Sequence, residues 1–121
     1  MEQKKYKKDK YLLSDQYERF SYPNPIDDIE NEIKNNNLYI NYDPKFFWNR
    51  LWPEKKYVEK GLDVLVAGCG ANQASVLSYN NPNYSFTGVD ISKESIKNNK
   101  KLIKKHNLKN LLLICEDFRL L

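Results

Sequence analysis

One histidine and two cysteines in 121 residues remove several functions before any motif is read. Cys69 and Cys115 are too few for a disulfide scaffold, and they lack metal-ligand spacing. With His106 as the lone imidazole, the chain has no donor set for a zinc or iron site. Both cysteines are expected to act as small apolar residues. No apolar run approaches the roughly 18 residues that a membrane span needs. The opening Met1–Lys10 is basic but has no apolar segment behind it, so it does not read as a secretory signal. The expected compartment is the cytosol. Arginine, the residue best suited to phosphate forks, occurs only at 19, 50 and 119.

What is present is an ordinary globular balance, 40% hydrophobic and 30% charged, with a net charge of +4. The positive excess sits in the first ten residues and in Ser92–Asn110. The second stretch carries lysines at 93, 97, 100, 101, 104, 105 and 109 against the single acid Glu94. Lysines repeated along a helix mark a solvated face more often than a nucleic-acid surface, so no nucleic-acid partner is expected.

The chain divides near Gly61. Residues 1–61 form an aromatic, proline-punctuated region, and residues 62–121 alternate strand-like and helix-like segments, the pattern of a parallel sheet. In the first region Met1–Lys10 is a charged tail and Tyr17–Pro25 reads as extended, because each proline disfavours helix before it. Asn24 is expected to cap a helix with Pro25 at its first position and an apolar stripe of Ile26, Ile29 and Ile33. Asn35–Asn37 ends it. Asp43-Pro44 opens a second helix that stops near Trp52, ahead of Pro53. A further helical turn is expected over 53–60, closed by Gly61. The run Phe46-Phe47-Trp48 suits packing against the neighbouring domain or, alternatively, a lid over a ligand.

In the second region Asp63–Ala67 reads as a strand buried on both faces. Gly68-Cys69-Gly70 breaks it, and Asn72–Tyr79 is helical. Ser85–Asp90 is the next strand, Ser92 caps a helix to about Asn107, and Leu111–Cys115 is the third strand. Right-handed crossovers order these strands 3-2-1 in an α/β, Rossmann-like sheet.

The chemistry gathers at the first turn. Glycines at 68 and 70 let the backbone turn tightly and come close to a ligand, ahead of a helix N-terminus. Twenty residues on, Asp90 ends the second strand, where an acid can take both ribose hydroxyls of an adenosine ligand. The structural alternative is that Asp90 only caps the helix that begins after Ser92.

These segments together resemble the class I S-adenosylmethionine-dependent methyltransferases. Leu62–Ala74 (Leu-Asp-Val-Leu-Val-Ala-Gly-Cys-Gly-Ala-Asn-Gln-Ala) is similar to that family's first motif, Phe86–Ser92 to its second and Cys115–Phe118 to its third. The Gly-Cys-Gly-x-x-Gln-Ala form is similar to one methyltransferase subgroup. The resemblance implies S-adenosyl-L-methionine as cofactor. Ala67, Gly68 and Gly70 would lie along its methionine part, with Gln73 reaching it. Asp90 would hold the ribose. Ile91, Asp117 (or Glu116) and Phe118 would border the adenine.

Two positions depart from the pattern: Val66 stands where many members carry an acid, and Asn72 replaces a third glycine. The resemblance also implies a seven-stranded sheet, of which three strands are present. The expectation is therefore a fragmentary chain whose catalytic residues lie beyond Leu121 and which does not transfer methyl groups alone. A nicotinamide-dependent oxidoreductase fragment is one alternative, but it would favour glycine at Gln73 and leaves Cys115–Phe118 unexplained. A non-catalytic binding module that keeps the fold is the other.

Overall fold

A computed structural model describes residues 24–35 and 43–120, the Phe118 side chain excepted. The charged tail and residues 17–23 of the expected extended segment lie outside these residues. Three parallel strands, β1 (Asp63–Ala67), β2 (Ser85–Asp90) and β3 (Leu111–Cys115), form one open sheet with β2 in the middle. The expected 3-2-1 order holds. Across the sheet Val66 lies opposite Gly88, and Gly88 opposite Leu113.

Two crossover helices, α3 (Gln73–Asn80) and α4 (Lys93–His106), connect the strands. Right-handed crossovers running in one direction across a sheet put both helices on the same face. Accordingly Val66 and Phe86 from the strands pack with Ala74 and Leu77 of α3 and Ile96 of α4. Each fully buried large apolar side chain there stabilises the fold by roughly 1.5–3 kcal/mol. The opposite face differs from expectation. Strand β1 is not buried on both faces: Leu65 is 58% exposed, and Leu112 of β3 is 62% exposed. No described helix covers that face, so its apolar residues meet solvent.

Helix α4 runs as its sequence predicts. Ser92 caps it by accepting from the Ser95 amide, and Asn107 closes it in the left-handed region at φ +53°. Its seven flanking and internal lysines are all exposed, which makes the basic stretch a solvated face. Lys105 also pairs with Asp28 at 3.2 Å.

The N-terminal helices depart more. Helix α1 (Ile29–Lys34) starts at Asp28 instead of Asn24, and the Asp28 carboxylate accepts from the Asn31 amide at 3.0 Å. Tertiary contacts override the local proline signal. The Asn24 and Ile26 carbonyls accept from the side chains of Asn72 (3.3 Å) and Asn98 (3.4 Å) instead of opening a helix. Ile29 is fully buried against Val76 and Leu102, Ile26 packs beside them, and Ile33 is exposed, so the expected three-isoleucine stripe loses its last member.

Helix α2 (Pro44–Leu51) begins at its Asp43 cap as expected and bends at Phe47 (φ −122°). Buried Asp43 also accepts from Asn80 (3.1 Å) and Asn81 (2.9 Å), tying α2 to the end of α3. The aromatic run does not act as one block. Trp48 packs locally with Trp52 and Tyr57 at ring separations of 4.6 and 5.4 Å, while Phe46 remains 64% exposed.

The helical turn expected over 53–60 does not form beyond one tight turn, closed by the Lys55 amide donating to the Trp52 carbonyl at 3.0 Å. Its carbonyls are taken by side chains instead: Lys55 accepts from the Trp48 indole and Val58 from the Tyr84 hydroxyl. Gly61 is left-handed (φ +86°), but it leads into β1 and closes no helix.

Candidate functional site

The turn after β1 is built from both ends. Gly68 and Gly70 adopt φ +67° and +60°, where side-chain-bearing residues are strained. The Gly68 and Cys69 amides both donate to the Val89 carbonyl, at 2.8 and 3.0 Å, which locks the turn onto the end of β2. A Cβ placed on Gly68 would meet no atom within 4 Å beyond its own residue and its two chain neighbours. The glycine is therefore required by the backbone, and its open side leaves room for a ligand to approach closely.

Asp90 sits directly against this turn. Its Oδ2 accepts from the Gly70 amide at 2.8 Å and its Oδ1 from the Ser92 amide at 2.8 Å. Each oxygen of an ionised carboxylate has two lone pairs, so both can still accept from a hydroxyl. The acid is 9% exposed. It thus fixes the amide of the Ser92 cap and in addition holds the glycine turn, while the helix amide itself is capped by Ser92.

Cys69 between the glycines is fully buried. Burial, reinforced by the negative charge of Asp90, pushes its thiol up to about 12, so it stays protonated and unreactive at neutral pH. Val66, which stands where many members of the resembled family carry an acid, is a core residue. Asn72 does not use left-handed geometry (φ −149°), so the third glycine's conformational role is not needed here.

At the neighbouring strand end, Ile91 is half-buried and the Glu116 amide donates to the Asp90 carbonyl at 3.0 Å, drawing the third motif beside the second. Asp117 is buried, and its carboxylate is forked by Arg119, with Nε at 3.0 Å from each oxygen and a terminal nitrogen at 2.6 Å. Such bidentate pairs fix the carboxylate plane. Gln73 is half-buried at the start of α3, and Ala67 is exposed at the end of β1. Phe118 lies in the short 3-10 turn Phe118–Leu120, its side chain outside the described residues.

Several residues that shape the site were not singled out from the sequence: Ser75, Asn98 and Asn99 around the glycine turn, and Arg119 beside Asp117. A signal existed for the asparagines. They fall on the buried stripe of α4, between Ile96 and Leu102, where an apolar residue is the default.

An open parallel α/β sheet with a glycine turn and an acid at adjacent strand ends defines the Rossmann-like class of fold. Within that class the chain belongs to the methyltransferase-domain family, whose model matches residues 58–121, over half of its length. Among solved structures it is similar to coclaurine N-methyltransferase bound to N-methylheliamine and SAH, with 22% identity and a TM-score of 0.47. That match covers 60% of this chain and 22% of the other, so the chain spans about a fifth of that protein's length.

Proposed function

We propose that this chain forms the S-adenosylmethionine-binding part of a methyltransferase. The observation that carries the reading is the bond between the Gly70 amide and Asp90 Oδ2. It joins a glycine turn and a carboxylate into one surface at the carboxyl ends of β1 and β2.

S-adenosylmethionine, when bound, supplies a methyl group on a positively charged sulfur that an acceptor displaces in line. The protein's share of such a reaction is orientation. Ala67, Gly68 and Gly70 would line the methionine part, a role supported by the open side of Gly68, with half-buried Gln73 beside them at the head of α3. The remaining lone pairs of Asp90 would accept from the two ribose hydroxyls, each charge-assisted bond contributing roughly 1.5–3 kcal/mol. Ile91, Asp117 and Phe118 would border the adenine, Asp117 with its carboxylate held in place by Arg119.

No helix among the described residues is long and apolar enough to cross a membrane. A cytosolic setting goes with this reading, supported by the scarcity of cysteine. The test is calorimetric titration of the chain with S-adenosylhomocysteine and with NAD. Tighter binding of S-adenosylhomocysteine is expected, and tighter binding of NAD would overturn the assignment in favour of a dinucleotide enzyme.

A further inference from the structure

The glycine turn is held on a second side, by α4. Asn99 is fully buried and uses its whole hydrogen-bonding capacity. Its Nδ2 donates to the Gly70 carbonyl at 2.7 Å and to the Ser95 carbonyl at 2.9 Å. Its Oδ1 accepts from the Ser75 hydroxyl at 2.6 Å and the Ser75 amide at 3.2 Å. The neighbouring Asn98, also buried, donates to the Ala71 carbonyl at 2.7 Å. Helix α3 receives no side-chain cap from its own Asn72, so the Ser75 amide in its first turn is capped from a different helix.

We infer that Asn99, assisted by Asn98, is a positioning residue for the cofactor turn; this inference rests on the function proposed above. Gly70 is clamped between two groups, its amide by Asp90 and its carbonyl by Asn99. In a planar trans peptide the N–H points opposite to the C=O. Drawing the Gly70 and Ala71 carbonyls toward α4 therefore turns the Ala71 and Asn72 N–H groups away from α4. Glycine imposes almost no barrier of its own to rotating the peptides on either side of it. Without Asn99 the Gly70–Ala71 peptide is able to flip and present an oxygen where the ligand-binding form presents a donor. The residue thus acts through the backbone it holds and need not touch the cofactor.

The test compares the parent chain with Asn99→Ala and with Leu102→Ala. Leu102 lies on the same helix but packs against Ile29 and Val76, in a cluster separate from the turn. Dissociation constants for S-adenosylhomocysteine are measured at a temperature where unfolding curves show all three chains folded. Asn99→Ala is expected to weaken binding at least ten-fold, and Leu102→Ala, though destabilised, to stay within two-fold of the parent. Should Asn99→Ala fail to fold, Asn98→Ala is the substitute, with a weakening of at least three-fold expected. A parent that binds normally alongside an Asn99→Ala chain of equal affinity overturns the inference and leaves the proposed function standing. Equal weakening by Leu102→Ala reduces Asn99 to a stability role and also overturns it. A parent that does not bind overturns the proposed function and the inference together.

Discussion

The Gly70 amide, in the turn after β1, donates to Oδ2 of Asp90, the last residue of β2, at 2.8 Å. Asp90 therefore has a structural task as well as the proposed ribose contact. Asp90→Ala is expected to weaken binding of S-adenosylhomocysteine by roughly thirty- to a thousand-fold, about 2–4 kcal/mol. It should also lower unfolding stability by about 1–3 kcal/mol, because two backbone amides lose their acceptor. Calorimetry and urea unfolding check the two effects separately. Glu94→Ala, on the exposed first turn of α4, should change affinity less than two-fold.

At Gly88, in the middle strand, α3 packs close against the sheet. A Cβ there would lie 2.8 Å from the Ala74 Cβ and 3.1 Å from Leu113 Cδ2. The leucine can shift, but the alanine Cβ moves only with its helix. Gly88→Ala should therefore destabilise the fold by about 1–3 kcal/mol, as overpacked cores do. Urea unfolding is the measurement, and a chain as stable as the parent would show that α3 is free to move.

The two thiols should separate cleanly in a labelling experiment. Cys69 is fully buried and its thiol is raised to about 12, whereas Cys115 is exposed. At pH 8 iodoacetamide should modify Cys115 and leave Cys69 unmodified until denaturant is added. Peptide mass mapping reads the outcome.

Alkaline pH should loosen the fold through Tyr84. Burial first, and the neighbouring Tyr57 hydroxyl second, raise its ionisation from the ordinary 10.0 to about 12. A phenol that holds its proton more tightly when folded contributes stability below its unfolded value. That contribution is lost as pH rises through the window from about 10 to about 12. Tyr84→Phe should flatten this part of the stability profile, as followed by urea unfolding across the range.

The second half of the chain was legible because local and long-range signals agree there. Asp63–Ala67 and Leu111–Cys115 are short apolar runs, Ser85–Asp90 follows a turn of Asn and Pro, and each of the three became a strand with the bounds read from the sequence. The Ser92 and Asn107 caps likewise act within a few residues of themselves. In the first half, side chains distant in sequence decide the structure. Asn72 and Asn98 take the carbonyls of Asn24 and Ile26, so the Pro25 helix signal goes unused. The Trp48 indole and Tyr84 hydroxyl do the same to Lys55 and Val58, removing a helical turn.

The site divides in the same way. Gly68, Gly70 and Asp90 carry backbone and charge requirements visible in residue type. Asn99 looks like any polar helix residue until its burial is known.

The most direct test of the account is an amide chemical-shift map of the chain titrated with S-adenosylhomocysteine. The account predicts perturbations gathered at the ends of all three strands, at Gly68, Gly70, Ile91 and Asp117, with the far ends of the strands unmoved. Perturbations confined to the lysine face of α4, at Lys97, Lys100, Lys101 and Lys104, or none on saturation with ligand, would contradict it.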